Sequence, residues 1–288
     1  MQKRGEAMSV ILRNVSYTYG KGSSEEKLAL RDINLEIRQN EFVAVVGHTG
    51  SGKSTLIQLL NGLEKAESGE IFFHGKNIYD KDFSMKMLRS KVGLVFQYPE
   101  HQLFESTVVK DVAFGPSNMG WEQLKVELST FGALKDVGIG EELFDVSPLA
   151  LSGGQKRRVA IAGVLSMEPE ILVLDEPMAG LDPAGRKEIF ELLKKLYRER
   201  KITVLLVSHS MEDVAEYAGR VIVMNQGQIV LDGEPRKVFR YEKELRKIGL
   251  GVPQATSLMH FLAEQGAAVQ DDCLTVQESI TAILKWLT

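Results

Sequence analysis

The feature that most constrains the fold of this chain is a glycine-rich stretch, "GHTGSGKST" (47–55). The apolar, β-branched run "EFVAVVG" (41–47) before it indicates a strand, and "STLIQLLNGL" (54–63) after it indicates a helix. The spacing G-x-x-x-x-G-K-[ST] between a strand and a helix is typical of a loop that wraps a phosphate with its backbone N–H groups. The sequence therefore predicts a phosphate-binding strand–loop–helix unit.

Two further segments indicate that this strand belongs to a parallel sheet. "EILVLDEP" (170–177) and "KITVLLVSH" (201–209) are apolar almost throughout, and helical stretches separate them from their neighbours. Continuous apolar strands that alternate with helices are typical of a parallel sheet covered on both faces. Turn dipeptides in "SGEIFFHGKNI" (68–78) and "VIVMNQGQIVLDG" (221–233) predict antiparallel hairpins beside this core.

The rest of the chain is more helical. Residues 105–150 are less regular than the strand segments, and we interpret them as a helical insertion. After residue 233 the composition is helical again, and "TVQESITAILKWL" (275–287) carries an apolar stripe at helical spacing. That stripe needs burial, which either its own subunit or a partner could provide. Its members are Val276, Ile280, Ile283, Leu284 and Leu287.

Composition narrows the classes of function. A formal charge of −4 argues against non-specific nucleic-acid binding as the main activity, and we expect no nucleic-acid partner. The one cysteine, Cys273, cannot form an internal disulfide, which fits a reducing compartment. There is no apolar run near the roughly 18 residues that a membrane-spanning helix needs. The N-terminus lacks the apolar region of a signal peptide, and residues 1–7 carry no functional prediction.

The residues of the glycine-rich stretch have distinct predicted roles. Gly47, Gly50 and Gly52 allow the backbone to approach a phosphate closely. Lys53 is expected to neutralise the β- and γ-phosphates of a nucleotide, and Ser54 to offer its hydroxyl to Mg²⁺. The alternative is a glycine turn with a solvated lysine, and the flanking strand and helix favour the phosphate site.

Three polar residues stand at the ends of the two apolar strands. Asp175 is expected to serve the metal, and Glu176 to face an attacking water as general base. The alternative, an acidic N-cap before Pro177, leaves two buried carboxylates unexplained. His209 ends the next strand at the same edge, where ligands of α/β sheets collect, so we expect it to contact the γ-phosphate.

A second glycine-rich helix start, "LSGGQKRRVAIAG" (151–163), needs a separate explanation. Ser152 and Gln155 have the spacing of a capping box, but Gly153 and Gly154 weaken a first turn unless something approaches the backbone. An anion site without lysine or carboxylates is incomplete, so we expect it to close on a nucleotide held by another chain. The hypothesis is a head-to-tail pair with two ATP molecules between the chains. "KRR" (156–158) is interpreted as the solvent face of this helix.

These motifs, together with Gln97 and "AGLD" (179–182), occur in an order that resembles the nucleotide-binding subunit of ABC transporters over about residues 10–235. The resemblance implies an α/β, P-loop NTPase (RecA-like) core with an antiparallel β subdomain. It implies an ATPase domain at 8–235 with a helical insertion at about 105–165, and a C-terminal helical domain at 236–288.

The same resemblance implies a complete set of site residues. Tyr19 matches the aromatic residue that stacks on adenine, and Gln97 matches the glutamine that reaches Mg²⁺ and the attacking water. Asp182 matches an aspartate that crosses the dimer interface, although with Pro183 it is also a suitable helix N-cap. The catalytic residues are then Glu176, His209 and Gln97, and the metal ligands Ser54, Gln97 and Asp175. The ATP-binding residues are Tyr19, Gly47, His48, Thr49, Gly50, Ser51, Gly52, Lys53, Ser54, Thr55, Ser152, Gly153, Gly154, Gln155 and Asp182.

"VGLVFQYPEHQLFE" (92–105) and "AFGPSN" (113–118) make the resemblance more specific. They are similar to the ATPases of energy-coupling factor transporters. These transporters usually contain two related ATPases, and the similarity is greatest to the second of them. The resemblance implies uptake of a vitamin, cobalt or nickel from a position on the cytoplasmic side of the cell membrane. It implies a second ABC ATPase (a paralogue or a copy of itself), a transmembrane coupling protein and a small membrane-embedded substrate binder.

Two surfaces keep alternative interpretations. His101, Leu103 and Phe104 are candidates for contact with the coupling protein or for burial against the helical insertion. The C-terminal extension either adds contacts between two ATPases or covers its own subunit. The rival function is a soluble ABC-type ATPase that is not coupled to transport. A non-catalytic nucleotide-binding partner is disfavoured because Lys53 and Glu176 are both present.

Overall fold

The computed structural model describes residues 8–288, and their strands form two sheets. Residues 1–7, for which no function is predicted, lie outside the described part. The strands are β1 (Met8–Tyr19), β2 (Lys27–Arg38), β3 (Phe42–Val46), β4 (Ser68–Phe73), β5 (Lys76–Asn77), β6 (Val92–Val95), β7 (Ile171–Asp175), β8 (Thr203–Val207), β9 (Arg220–Asn225) and β10 (Gln228–Gly233).

Helices connect these strands and form the C-terminal region. They are α1 (Lys53–Asn61), α2 (Met85–Lys91), α3 (Val108–Asn118), α4 (Gln123–Asp136), α5 (Gly153–Leu165), α6 (Pro183–Glu199), α7 (Met211–Tyr217), α8 (Pro235–Phe239), α9 (Glu242–Lys247), α10 (Gln254–Glu264) and α11 (Val276–Leu287). Single 3-10 turns lie at Pro99–Gln102, Glu141–Leu143 and Pro148–Ala150. None of these helices combines the length and apolar character that crossing a membrane requires.

The larger sheet has the strand order β10-β9-β3-β8-β7-β6. From β9 to β6 the strands are parallel, and β10 pairs antiparallel with β9 at one edge. Every residue of β3 and β8 is buried, because helices cover both faces of the sheet. The predicted parallel core is confirmed.

The smaller sheet is antiparallel, with the order β2-β1-β4-β5. Its apolar face packs with α1 against the larger sheet, where Leu12, Ile33 and Leu56 share a buried cluster with Val45. Both predicted hairpins are present, as β4–β5 and β9–β10. The second hairpin extends the core sheet, whereas the first belongs to the smaller one.

Helices α3, α4 and α5 occupy the range predicted for the helical insertion. They pack with α6 on one face of the larger sheet, and their buried side chains include Val112, Leu134 and Val159. Thr107 caps the start of α3 by accepting a hydrogen bond from the backbone N–H of Lys110.

The C-terminal region covers its own subunit only in part. Val238 of α8 and Leu245 of α9 are buried with α7 against the opposite face of the sheet. The apolar stripe of α11 remains on the surface of this chain, where Val276 is 68% exposed and Leu287 is 66% exposed. The domain boundary near residue 235 stays a prediction.

The interpretation of "KRR" as a solvent face is wrong for its central residue. Arg157 is only 2% exposed and is one of the largest fully buried side chains of the described structure. The segments that follow β6 and β7 fold over this side of α5, and their oxygen atoms accept four hydrogen bonds from the Arg157 side chain.

The turn between β9 and β10 fixes the glycine-rich loop after β3. The Gly227 N–H donates to the Ser51 carbonyl oxygen at 3.0 Å, and the Gly227 carbonyl oxygen accepts from the Arg31 N–H at 2.9 Å. Gly227 has a φ of +77°, and a Cβ there would lie 2.7 Å from the Ala29 carbonyl oxygen. A glycine is therefore required at this junction.

We predict that Gly227→Ala destabilises the protein more than Gly75→Ala does. Both glycines have nearly the same φ, +77° and +76°, but a Cβ at Gly75 would meet nothing within 4 Å. The left-handed backbone should cost about 1–2 kcal/mol at Gly75, and the clash at Gly227 should add about 2 kcal/mol. Urea unfolding of the two variants measures the difference, and equal losses would contradict the proposed role of the junction.

Candidate active site

The glycine-rich loop leads directly from β3 into α1. Gly52, the N-cap of α1, has a φ of +106°, and a Cβ there would lie 2.7 Å from the Ala29 carbonyl oxygen. A Cβ at Gly47 would lie 2.4 Å from the Ser51 hydroxyl oxygen. Side chains at these two positions would clash with neighbouring atoms of the protein, so the close packing of the loop requires glycine at both.

Lys53 lies inside this loop. It is 5% exposed, and its ammonium group donates to the carbonyl oxygens of Gly47 at 2.7 Å and His48 at 3.0 Å. Burial lowers the pKa of Lys53 below its ordinary value, while the negative charges of Glu176 and Asp175 act to raise it. A phosphate bound in the loop would favour the charged form of this lysine.

Asp175, the last residue of β7, reaches the start of α1. Its Oδ2 accepts a hydrogen bond from the Ser54 hydroxyl at 3.0 Å. Burial raises the pKa of Asp175 above its ordinary value, and the hydrogen bond from Ser54 acts in the opposite direction. A cation between these two oxygen atoms would stabilise the ionised carboxylate.

Glu176, the residue after Asp175, has a left-handed backbone φ of +49°. Its Oε1 lies 2.6 Å from Nε2 of His209, and its Oε2 accepts a hydrogen bond from Nε2 of Gln97 at 3.3 Å. The structure thus brings together the three side chains predicted to be catalytic. A left-handed conformation is uncommon for a residue other than glycine and is often found at functional sites.

Tyr19 lies beside the start of α1, and His48, within the loop, contacts the end of β9. The Tyr19 hydroxyl is 3.1 Å from the Thr55 hydroxyl, and the Tyr17 ring packs edge-to-face against the Tyr19 ring. His48 joins the loop to the β9–β10 turn, because its Nε2 lies 3.0 Å from Oδ1 of Asn225.

Residues 152–155 form a capping box at the start of α5. The Ser152 hydroxyl accepts from the Gln155 N–H, and the Gln155 side chain accepts from the Ser152 N–H. A Cβ at Gly153 or Gly154 would meet nothing within 4 Å, so the backbone here is open. Within the described residues, no hydrogen bond or ion pair joins this segment to the loop at 47–55.

Of the remaining predicted residues, one caps a helix and the others differ in exposure. Asp182 caps α6, since its Oδ1 accepts from the Gly185 N–H at 2.8 Å. Phe104 is 63% exposed and packs edge-to-face against Phe114, whereas Leu103 packs into the core beside α3. His101 stacks on Tyr98.

Several observations fit a phosphate and Mg²⁺ at this site. The Ser51 hydroxyl in the loop is buried and has no hydrogen-bond partner within the described structure. Ser54 and Asp175 present oxygen ligands, which Mg²⁺ prefers. No cluster of three or more His, Cys, Asp or Glu side chains suited to a metal occurs in residues 8–288. Mg²⁺ is typically held by one or two carboxylates together with substrate phosphates, so this sparse set suits it.

Glu100 and Arg157, neither of which was predicted as a site residue, form an ion pair in which Arg157 is buried and Glu100 is partly exposed. Arg157 follows Gln155 by two positions, and Glu100 follows Gln97 by three. Their closeness in sequence to these two predicted site residues is the signal by which Glu100 and Arg157 could have been found.

Comparison with known proteins agrees with this geometry. A family model described as "ABC transporter" matches residues 30–179, which include the loop, residues 152–155 and the end of β7. The chain belongs to the ABC transporter family. This ATP-binding cassette is 53% identical over 280 residues to the energy-coupling factor transporter ATP-binding protein EcfA2 of Caldanaerobacter subterraneus subsp. tengcongensis, covering 97% of this chain and 98% of that protein. The protein of the same name from Clostridioides difficile is 50% identical over 280 residues, covering 96% and 97%.

Solved structures also resemble the cassette. CbiO1 from Clostridium perfringens, described as part of the ABC transporter complex cbiONQ, is 41% identical with a TM-score of 0.74, covering 88% of this chain and 100% of that one. The dimeric cassette MJ0796 bound to ADP and Pi is 32% identical with a TM-score of 0.69, covering 78% and 98%. The predicted family, its energy-coupling factor type and the predicted fold class are confirmed.

Proposed function

We propose that this cassette binds ATP and Mg²⁺ and hydrolyses ATP as a subunit of an energy-coupling factor importer. The observation that carries the proposal is the convergence of Lys53, Asp175 and Glu176 at one edge of the core sheet. The ATP-binding relatives support it, because they align over nearly the whole chain. The proposed cargo is a vitamin or a transition-metal ion.

The first part of the proposed mechanism is nucleotide binding. The N–H groups of residues 47–55 and the ammonium group of Lys53 hold the β- and γ-phosphates. Tyr19 stacks on the base, since its ring lies beside the first turn of α1. Mg²⁺, when bound by Ser54 and Asp175 with Gln97 nearby, supplies positive charge to the phosphate oxygens.

The second part is hydrolysis. Glu176 accepts the proton of the attacking water, because its carboxylate is held by Gln97 and His209 and is not paired with Lys53, which donates to carbonyl oxygens of the loop. Gln97 and His209 each bond to one oxygen of Glu176 and orient the carboxylate. In the complex with ATP, His209 is also placed to contact the γ-phosphate.

We further propose that the working unit is a head-to-tail pair with a second ABC ATPase, either a paralogue or a copy of this chain. A Cβ at Gly153 or Gly154 would meet nothing within 4 Å in the described part of the chain, so phosphates held by the other chain can approach this backbone. Asp182, at the start of α6, would then lie near the shared interface. The relative MJ0796 forms a dimer in its solved structures.

The membrane partners complete the proposal. A transmembrane coupling protein and a small membrane-embedded substrate binder would hold the pair as peripheral proteins on the cytoplasmic side of the cell membrane. Phe104 and Phe114 form an exposed aromatic pair beside the segment after Gln97, which suits contact with the coupling protein. Under this proposal residues 8–235 form the ATPase domain and residues 236–288 form a C-terminal domain.

We expect Glu176→Gln to bind ATP but to lose turnover by about 10²–10⁴-fold, because an amide cannot accept the proton. The ATP-bound pair should then accumulate on size-exclusion chromatography. Glu170→Gln is the matched control. Glu170 lies just before the first residue of β7, at the end of the strand opposite to Glu176, and contacts His74 and Lys91. Unchanged turnover in Glu176→Gln would remove this residue from the role of base.

We expect Gly153→Asp to lower turnover more than about tenfold, because the new charge faces the partner's γ-phosphate. ATP affinity of the isolated subunit should stay unchanged, since a Cβ at Gly153 meets nothing within 4 Å among the described residues and an acidic residue suits a helix start. Turnover at several protein concentrations and ATP titration of the diluted subunit measure both effects. A collapse of the isolated subunit's ATP affinity would show that residues 152–155 act within their own chain.

We expect the tagged protein, purified from membranes in mild detergent, to carry a second ATPase and two integral membrane proteins. Phe104→Asp should reduce their recovery, and Val230→Asp, an exposed apolar position on β10, should not. Mass spectrometry of the bound proteins is the measurement. Recovery of the cassette free of membrane proteins would instead favour an ATPase that is not coupled to transport.

A further inference from the structure

The buried guanidinium of Arg157 is a feature that the proposed mechanism does not use. Its Nε and Nη2 donate to the two carboxylate oxygens of Glu100 at 3.1 and 2.8 Å. Its Nη1 donates to the carbonyl oxygens of Pro177 at 2.8 Å and Ala179 at 3.0 Å. Burial of an arginine is costly unless its donors are satisfied, and here the partners of these four hydrogen bonds come from two other segments.

Each of these segments adjoins a residue of the candidate site. Glu100 lies in the segment that follows Gln97, and Pro177 directly follows Glu176. Arg157 itself lies in the first turns of α5, just after the open backbone of Gly153. One side chain therefore connects the start of α5 to the backbone that carries Gln97 and Glu176.

The backbone on both sides of this connection is strained. Glu176 has a φ of +49° and Tyr98 has a φ of +53°, which are left-handed values at residues other than glycine. Such conformations cost about 1–3 kcal/mol each and persist only where surrounding contacts hold them. The two carbonyl bonds to Arg157 and its forked pair with Glu100 are contacts of this kind.

We propose that Arg157, paired with Glu100, is a positioning residue that couples the start of α5 to the catalytic geometry of Glu176 and Gln97. The inference rests on the proposed function. When a partner's nucleotide engages residues 152–155, a shift of α5 is passed through the guanidinium to both segments. Nucleotide binding by the subunit alone does not depend on it, because Arg157 makes no hydrogen bond to residues 47–55.

The test compares Arg157→Lys, Glu100→Gln and the double variant in the full-length protein. Lysine keeps the charge but cannot form the forked pair and both carbonyl bonds together. Arg158→Lys is the matched control, since within residues 8–288 the Arg158 side chain makes a single hydrogen bond, to the Gly138 carbonyl oxygen at 3.5 Å. Steady-state kcat and KM for ATP are measured, with thermal unfolding to confirm the folded fraction.

The expected result is a fall in kcat of about tenfold or more for Arg157→Lys, with KM changed by less than about twofold. The double variant should be no slower than the slower single variant, because both changes break the same connection. Arg158→Lys should keep wild-type kcat. A lower unfolding midpoint with unchanged kcat would show a purely structural ion pair and overturn the inference.

The outcomes separate the inference from the function on which it rests. If Glu176→Gln loses turnover while Arg157→Lys and Glu100→Gln keep the wild-type rate, the inference alone is overturned. If Glu176→Gln hydrolyses ATP at the wild-type rate, Glu176 is not the base, and the inference is overturned with that assignment. If Arg157→Lys does not fold, Glu100→Gln decides, since it removes only the charge of the pair and should still lower kcat without changing KM.

Discussion

The parallel register of β3, β8 and β7 is the constraint on which the rest of the structure depends. Val207 of β8 lies opposite both Val45 and Asp175, so the three strands end at the same edge of the sheet. The segments that follow these ends, including Glu176 and His209, therefore meet there. A slip of one residue would move a strand by about 3.3 Å and reverse the faces of its side chains, which would separate them.

Burial makes the charged groups at this edge depend on one another. The pKa of Lys53 is lowered and that of Asp175 is raised because both are withdrawn from water. The buried guanidinium of Arg157 donates instead to both carboxylate oxygens of Glu100 and to two carbonyl oxygens. In the proposed site, the charges of Lys53 and Asp175 are therefore available to phosphate and metal. The charges of Arg157 and Glu100 already neutralise each other, so this pair can act as a rigid connection.

Sequence reasoning located the loop at 47–55 and the polar residues after β7 and β8 because these signals are local. Strand, glycine spacing and helix occur within a few residues of each other, and the parallel sheet then predicts that strand ends meet. It was wrong about Arg157 because the pattern of α5 contains no information about what covers the helix. Glu100 and Pro177 do so, from segments distant in the chain.

By itself the sequence determined the family, the α/β core and the identity of the residues at the strand ends, since short-range patterns encode each of these. Only the tertiary structure decided that Glu176 contacts both Gln97 and His209, that Arg157 is buried, and that the stripe of α11 stays exposed. The physical reason is that burial and ion pairing depend on the packing of segments that are far apart in the chain.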